Sequence, residues 1–398
     1  MEIEEALSII RDEAKPIKDT LSIPVEDAAG HITATDTIAE MPVPAFARSA
    51  MDGYAVHSDE LSGAKSDRPV CLKVAGEILA GDSKHFPNTL NSAVRVMTGA
   101  MIPDGYDAVV RQEDTDYGEK EVRIYTPVRA YDNYCPEGEE IKKGEVVIPA
   151  GRHIGRVEAG LFASLGMPEV IVRRPAEISV ISTGSELTDV GETLHPGRIY
   201  NSIRYMLIAS IRQEKLRVKH AGNYPDDKAL LCSCISEAAE RSDIVITTGG
   251  VSVGKKDLIP EVLDTLGAKK LFSGINIQPG TPTTVSELEG KLILSLSGNP
   301  YAAMVNFDLY FWTMIAGLMG SPYYLSEASE AVMADPYKKQ SRRRRFVRAR
   351  EEGGNVYLPV LKHMSSVFGN MDRCNCYLDI PEGETVSPGD TVKIWRMR

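Results

Sequence analysis

Residues 243–254 read Asp-Ile-Val-Ile-Thr-Thr-Gly-Gly-Val-Ser-Val-Gly, and the fold follows from this stretch. The β-branched run Ile244-Val245-Ile246, in a strand read over 243–248 and followed by a glycine loop, is short and continuous, as in a strand of a buried parallel sheet. Two glycines at its end let the backbone turn sharply and approach a ligand closely. A helical pattern follows over 258–266. Outward from this unit the same alternation repeats. ISVIS (178–182) is a strand ended by Thr183-Gly184, and 201–213 is a helix with Asn201 or Ser202 as cap. LRVKHAG (216–222) is a strand, 226–241 a helix, KLILSL (291–296) a strand, and a long apolar helix follows Pro300. Strands alternating with helices predict βαβ crossovers and a mostly parallel sheet over 175–322.

The flanks have a different texture. Residues 41–149 hold short β-like runs punctuated by Pro and Gly, such as VCLKVAGEI, AVRVMTG and DAVVRQED. This predicts an inserted β-rich domain. Helical patterns at 3–11 and 151–167 bracket it, so 1–40 and 150–174 are expected to form one discontinuous linking domain. Residues 323–398 return to β texture and predict a small barrel or sandwich. Residues 301–320 approach membrane-spanning length, yet Asp308 sits near the middle and a Ser-Gly-Asn-Pro turn feeds the stretch from a strand. A buried helix is expected, and no membrane.

A chain of 398 residues predicts about two to four domains. Its 56 acidic residues exceed its 45 Lys and Arg, giving −11, which argues against nucleic-acid binding. The N-terminus, MEIEEALSII, lacks the charged n-region and apolar core of a signal peptide, and six scattered cysteines suit a reducing cytoplasm. Neither Cys232/Cys234 nor Cys374/Cys376 has the partner pair a zinc site needs.

Ligands of open parallel sheets bind at the carboxyl ends of the strands. The loops there are Thr183-Gly184-Ser185-Glu186, Pro225-Asp226-Asp227, Thr248 to Asp257, and Ser297-Gly298-Asn299-Pro300. Their backbone amides and hydroxyls suit a phosphate or other oxyanion, and Glu186, Asp226 and Asp257 suit a hard cation such as magnesium. The plainer alternative is that the glycines only make turns, Asp226 caps a helix and Glu186 is solvated. Gly250 to Lys255 is one residue short of a P-loop and lacks its Ser or Thr. No G-x-G-x-x-G follows the first strand. In the β-rich region, Arg48 to Val56 and Val96 to Ala100 read individually as strand and turn.

Together, SAMDGYAV (49–56), VMTGA (96–100), STGSEL (182–187), PDD (225–227), TTGGVSVG (247–254) with Asp257, and SGNP (297–300) resemble the molybdenum insertase family in order. That family comprises bacterial MoeA and the E-domains of gephyrin and its plant counterpart. The resemblance spans essentially the whole chain. It implies an elongated, L-shaped homodimer: a MoaB/MogA-like α/β sheet domain, an inserted β-rich domain reaching over the partner's site, a helical linking domain and a C-terminal β-barrel. It implies insertion of molybdenum from molybdate into adenylylated molybdopterin, with magnesium-dependent release of AMP. The residues it implies for catalysis are Asp52, Thr98, Glu140, Glu186, Asp226, Asp257, Arg348 and Ser365, with Glu186, Asp226 and Asp257 also holding magnesium. Molybdopterin would contact Ser182, Thr183, Gly184, Thr248, Gly249, Gly250, Ser252, Gly254, Pro279, Gly280, Gly298, Asn299 and Pro300. Expected protein partners are a molybdopterin adenylyltransferase and molybdoenzyme chaperones.

Several cations of the family pattern are replaced. Cys135 stands for an arginine, Gln278 and Thr281 for lysines, and an upstream lysine falls near Gly274. Glu140 stands for an aspartate and Ser297 for a proline. The run Arg342–Arg345 either compensates for the lost charge or forms the exposed face of a strand. Two functions therefore remain open: an insertase with an altered anion pocket, or a pterin-binding carrier or scaffold that inserts no metal. A phosphotransferase acting on another nucleotide-activated substrate fits less well. Molybdate and tungstate fit equally.

Overall fold

A computed structural model describes residues 1–251, 258–359 and 367–398. At its centre is a six-stranded sheet in the order Arg217–Tyr224, Glu177–Thr183, Ile244–Thr248, Lys291–Leu296, Thr284–Leu288, Lys269–Ser273. The first four strands are mutually parallel, and the last two continue the sheet antiparallel. Alternate residues go to opposite faces. Ile178, Val180, Ile244, Ile246, Leu292 and Leu294 enter one core with the helix Ser202–Gln213. Ile181, Val245 and Ile293 enter the other with Lys228–Arg241 and Ile259–Thr265. Both faces are therefore covered, which is why these strands read as unbroken apolar runs.

The chain leaves Glu177–Thr183 toward one neighbour, Arg217–Tyr224, and returns to the other side as Ile244–Thr248. That reversal is a topological switch point, and it opens a crevice between the loops after Thr183 and Thr248. The antiparallel pair was not expected. Its signal is Glu289-Gly290, a two-residue hairpin loop with φ of +51° and +81° joining TTVSEL to KLILSL.

The apolar stretch forms Pro300–Asn306, a π-helical segment Phe307–Phe311, and Trp312–Met319, ending at Gly320 in the left-handed region. By length and composition it could cross a membrane, but 94% of its most apolar window is buried inside the protein. It is a core helix. Asp308 at its middle accepts from Tyr377 Oη at 2.7 Å and Trp312 Nε1 at 3.3 Å, which joins the helix to the C-terminal region.

The helix Ile3–Glu13 buries Ile3, Ala6, Leu7 and Ile10 in this same core, beside Trp312–Met319, and not on the 151–167 segment. The helix in that segment is only Arg156–Ser164. Strand Thr20–Pro24 pairs antiparallel with Glu169–Arg173, so the two flanks of the β-rich region do meet, through a sheet and not through helices. Within the β-rich region five strands form one sheet in the order Ala108–Arg111, Gly53–Val56, Ser92–Val96, Val70–Ile78, Glu121–Ile124. The C-terminal strands close on themselves: Arg344–Glu352, Asn355–Tyr357, Ala328–Met333, Thr391–Arg396, Cys376–Ile380 and back to Arg344–Glu352. This is a five-stranded barrel. Ile277–Gln278 joins it as an extra parallel strand on Arg344–Arg345.

Candidate functional site

Three loops meet at the carboxyl edge of the parallel strands. A Cβ on Gly249 would lie 2.3 Å from the Thr183 carbonyl oxygen, and its φ is +88°. Only glycine fits there. The Gly249 N–H donates to the Leu296 carbonyl at 3.0 Å, and a Cβ on Gly298 would reach Gly249 Cα at 3.5 Å. Beneath this junction Thr248 Oγ1 donates to Ser182 Oγ at 2.9 Å, both side chains being buried. These two hydroxyls fix the edge by bonding each other. Gly250, at φ +61°, continues the turn over Thr183. Ser252, Gly254 and Asp257 lie outside the described residues.

Asp226 does not cap the following helix. Asp227 does, accepting from the Leu230 N–H at 2.8 Å. Asp226 turns back to the first strand, where it accepts from Thr183 Oγ1 at 2.8 Å and from the Ser185 N–H and hydroxyl at 3.3 and 3.1 Å. Glu186 is exposed, and its carboxylate lies 2.8 Å from the position of a Cβ on Gly184. Two carboxylates thus flank Gly184-Ser185. Among the described residues no three His, Cys, Asp or Glu side chains converge as a metal site. At the same edge Asn299 caps its helix, accepting from the Ala302 N–H at 3.0 Å, with Pro300 in the first turn. Pro279 and Gly280 pack against this helix. Asn306 donates to the Pro279 carbonyl at 3.3 Å, and a Cβ on Gly280 would strike Asn306 Nδ2 at 1.6 Å.

A polar network missed from the sequence holds the Glu186 loop. Leu187–Thr188 pairs with Ile199–Tyr200, and the Ile199 N–H donates to the Glu186 carbonyl at 2.9 Å. Arg204, 7% exposed, donates to Asp189, which also accepts from Asn223 at 2.9 Å. Asn201 in turn donates to Asn223 at 2.6 Å. The available signal was an arginine in the first turn of a helix, where the dipole disfavours a cation unless a carboxylate meets it.

In the β-rich region the two motifs converge. Asp52 Oδ1 accepts both the N–H and the hydroxyl of Thr98 at 2.7 Å, and these bonds, the backbone one first, hold its carboxyl below the usual range. Gly99 and Ala50 tie the turns together, donating to the carbonyls of Ser49 and Asn133 at 2.8 and 3.0 Å. Cys135 lies opposite Arg48 and donates to Glu139 at 2.6 Å. Burial first, then Glu139, pushes its thiol up, with Arg48 opposing. Glu140 is exposed, its N–H bonded to the Val43 carbonyl at 3.0 Å.

In the barrel, Arg348 is buried, with its guanidinium 4.2 Å over the Tyr301 ring and its backbone N–H donating to Tyr301 Oη at 2.9 Å. It therefore stands immediately behind the Asn299-Pro300 helix start. Ser365 lies outside the described residues. Ser341 donates to Gln278 Oε1 at 3.0 Å, and Arg343 donates to Thr281 Oγ1. Arg344 is engaged by Asp379 at 2.6 Å and Glu4 at 2.7 Å, so it is structural.

The chain matches three family descriptions: "MoeA N-terminal region (domain I and II)" over residues 1–166, "Probable molybdopterin binding domain" over 179–316, and "MoeA C-terminal region (domain IV)" over 330–397. It is 32% identical to a molybdopterin molybdenumtransferase of Staphylococcus epidermidis, over 96% of this chain and 91% of that one. It is 34% identical to one from Staphylococcus aureus, over 94% and 90%. The crystal structure of a molybdopterin biosynthesis MoeA protein from Pyrococcus horikoshii OT3 superposes with a TM-score of 0.86 at 28% identity, covering 100% of this chain and 99% of that one.

Proposed function

Because this chain belongs to the MoeA family, we propose that it is a molybdopterin molybdenumtransferase, inserting molybdenum from molybdate into adenylylated molybdopterin and releasing AMP. The observation that carries the reading is Asp226: a chain that needed only a helix cap there has one in Asp227, yet Asp226 is held at the switch point by Thr183 and Ser185.

The residues suit an anionic substrate. The glycine turn at Gly249-Gly250 admits the substrate to the backbone, and the helix start at Asn299 places a positive dipole end at the same edge. Asp226 and Glu186, with the hydroxyls of Thr183 and Ser185, are the hard oxygen donors magnesium takes, and Asp257 would complete the set. Magnesium bound there would neutralise phosphate charge and polarise the phosphorus–oxygen bond. Thr183 and Ser185 fix the orientation of the Asp226 carboxylate before substrate arrives, so no reorganisation accompanies the reaction. Asp52, kept ionised by Thr98, would act from the β-rich region on the site of a second copy in a homodimer.

The test is AMP release from purified protein given adenylylated molybdopterin, magnesium and either molybdate or tungstate. Oxyanion-dependent release that Asp226→Asn reduces at least a hundredfold, with unchanged thermal stability, is expected. Pterin binding without AMP release under either oxyanion would leave a carrier.

A further inference from the structure

The chain carries −11 overall, yet residues 338–343 read Lys-Lys-Gln-Ser-Arg-Arg, without one carboxylate. Lys338, Lys339, Arg342 and Arg343 are all exposed, and none forms an ion pair among the described residues. In the same protein Arg344 has two carboxylate partners and Arg174 has three, so acids are available for pairing where pairing stabilises the fold. Four cations left to water in an acidic chain suit an anion.

Their placement says where. Ser341 donates to Gln278 Oε1 at 3.0 Å, leaving the Gln278 amide N–H groups as donors. Arg343 spends one N–H on Thr281 Oγ1, and that hydroxyl donates in turn to the Ile277 carbonyl at 2.7 Å. A guanidinium has five N–H donors, so most of its fork stays open to solvent. The loop that Arg343 meets runs from Gln278 through Gly280, whose contact with Asn306 seats it on the last turn of the helix Pro300–Asn306, the helix that Asn299 caps at the sheet edge. The loop itself has no cation between Ile277 and Thr284.

We propose that Arg343, reaching from just before the barrel strand Arg344–Glu352 onto Thr281, is the cation that receives the tetrahedral oxyanion substrate, with the Gln278 amide beside it and the 338–342 strip drawing the dianion in. This rests on the insertase reading for the identity of the oxyanion. The charge the loop lacks is supplied in space by a different segment of the chain.

Inorganic molybdate binding to the full-length protein, measured by equilibrium dialysis at two ionic strengths, tests this without any turnover. Arg343→Gln should weaken binding at least tenfold at low salt, with the gap narrowing at high salt. Adding Thr281→Lys to Arg343→Gln should recover most of that loss, because a cation is restored from the loop side. Arg343 is exposed, so Arg343→Gln should melt as the parent does, and the double variant, which also loses the Thr281 bond to Ile277, is compared at a temperature below its own melt. Binding unchanged within twofold in Arg343→Gln, no recovery with Thr281→Lys, or no molybdate binding by the parent would each overturn the inference. AMP release is scored separately: a parent that binds molybdate through Arg343 and releases no AMP refutes the insertase reading alone.

Discussion

Asp308→Asn should stabilise the protein relative to wild type by more at pH 8 than at pH 5. Asp308 is fully buried, and desolvation pushes its carboxyl up to about 7, with the Tyr377 and Trp312 hydrogen bonds pulling the other way. In the unfolded chain it would titrate near 3.8. The folded state therefore holds a proton that the unfolded state releases. Its contribution to stability is full below pH ~4 and is lost as pH rises through about 7. Between pH 5 and the folded value lie about two pK units, or about 2–3 kcal/mol at 1.36 kcal/mol per unit. Asparagine does not titrate. It can accept from Trp312 and donate to the Tyr377 oxygen, but the Tyr377 hydroxyl then loses its acceptor, at about 1 kcal/mol. Relative to wild type, the variant should gain about 2–3 kcal/mol on going from pH 5 to pH 8. Urea unfolding followed by fluorescence reads this well, since Trp312 and Trp395 are the chain's two tryptophans and lie in the helix and the barrel that Asp308 joins. An unchanged stability difference at the two pH values would refute the reasoning.

Gly249→Ala places a methyl 2.3 Å from the Thr183 carbonyl at positive φ, so it should cost about 2–3 kcal/mol and weaken pterin binding more than tenfold by fluorescence titration. Arg204→Met leaves Asp189 and the asparagine network without their cation; a thermal melt should show a loss of about 1–3 kcal/mol. Thr98→Val removes one of the two bonds that depress the Asp52 carboxyl, so the acid limb of the AMP-release profile should move to higher pH. An unmoved limb would exclude Asp52 as the group titrating there.

The parallel half of the sheet was legible because its central strands are apolar on both faces, as Ile244, Val245 and Ile246 are. The antiparallel pair was not, since Lys269–Ser273 is a half-polar edge strand with little apolar signal. The loops of the site were legible as a set, but the division of labour within Asp226-Asp227 was not. Either acid can cap a helix, and only three-dimensional register turns Asp226 back onto Thr183. Likewise the pairing of Asp52 with Thr98 spans 46 residues, and the sequence gives no local cue for such a contact. The arginine run offered two readings, and the structure divides it: Arg344 is structural, while Arg343 meets the loop.

The two-residue strand Ile277–Gln278 has a mechanical consequence. Its parallel pairing with Arg344 and Arg345 sews the loop at Pro279-Gly280 to the barrel wall, while Arg344 pins the same wall to Glu4 of the first helix. The barrel cannot pivot against the α/β unit without carrying that loop along or tearing two hydrogen-bonded seams. Loop, wall and first helix thus act as one lever arm, and strain applied to the barrel is delivered through Pro279 and Gly280 to Asn306 of the core helix.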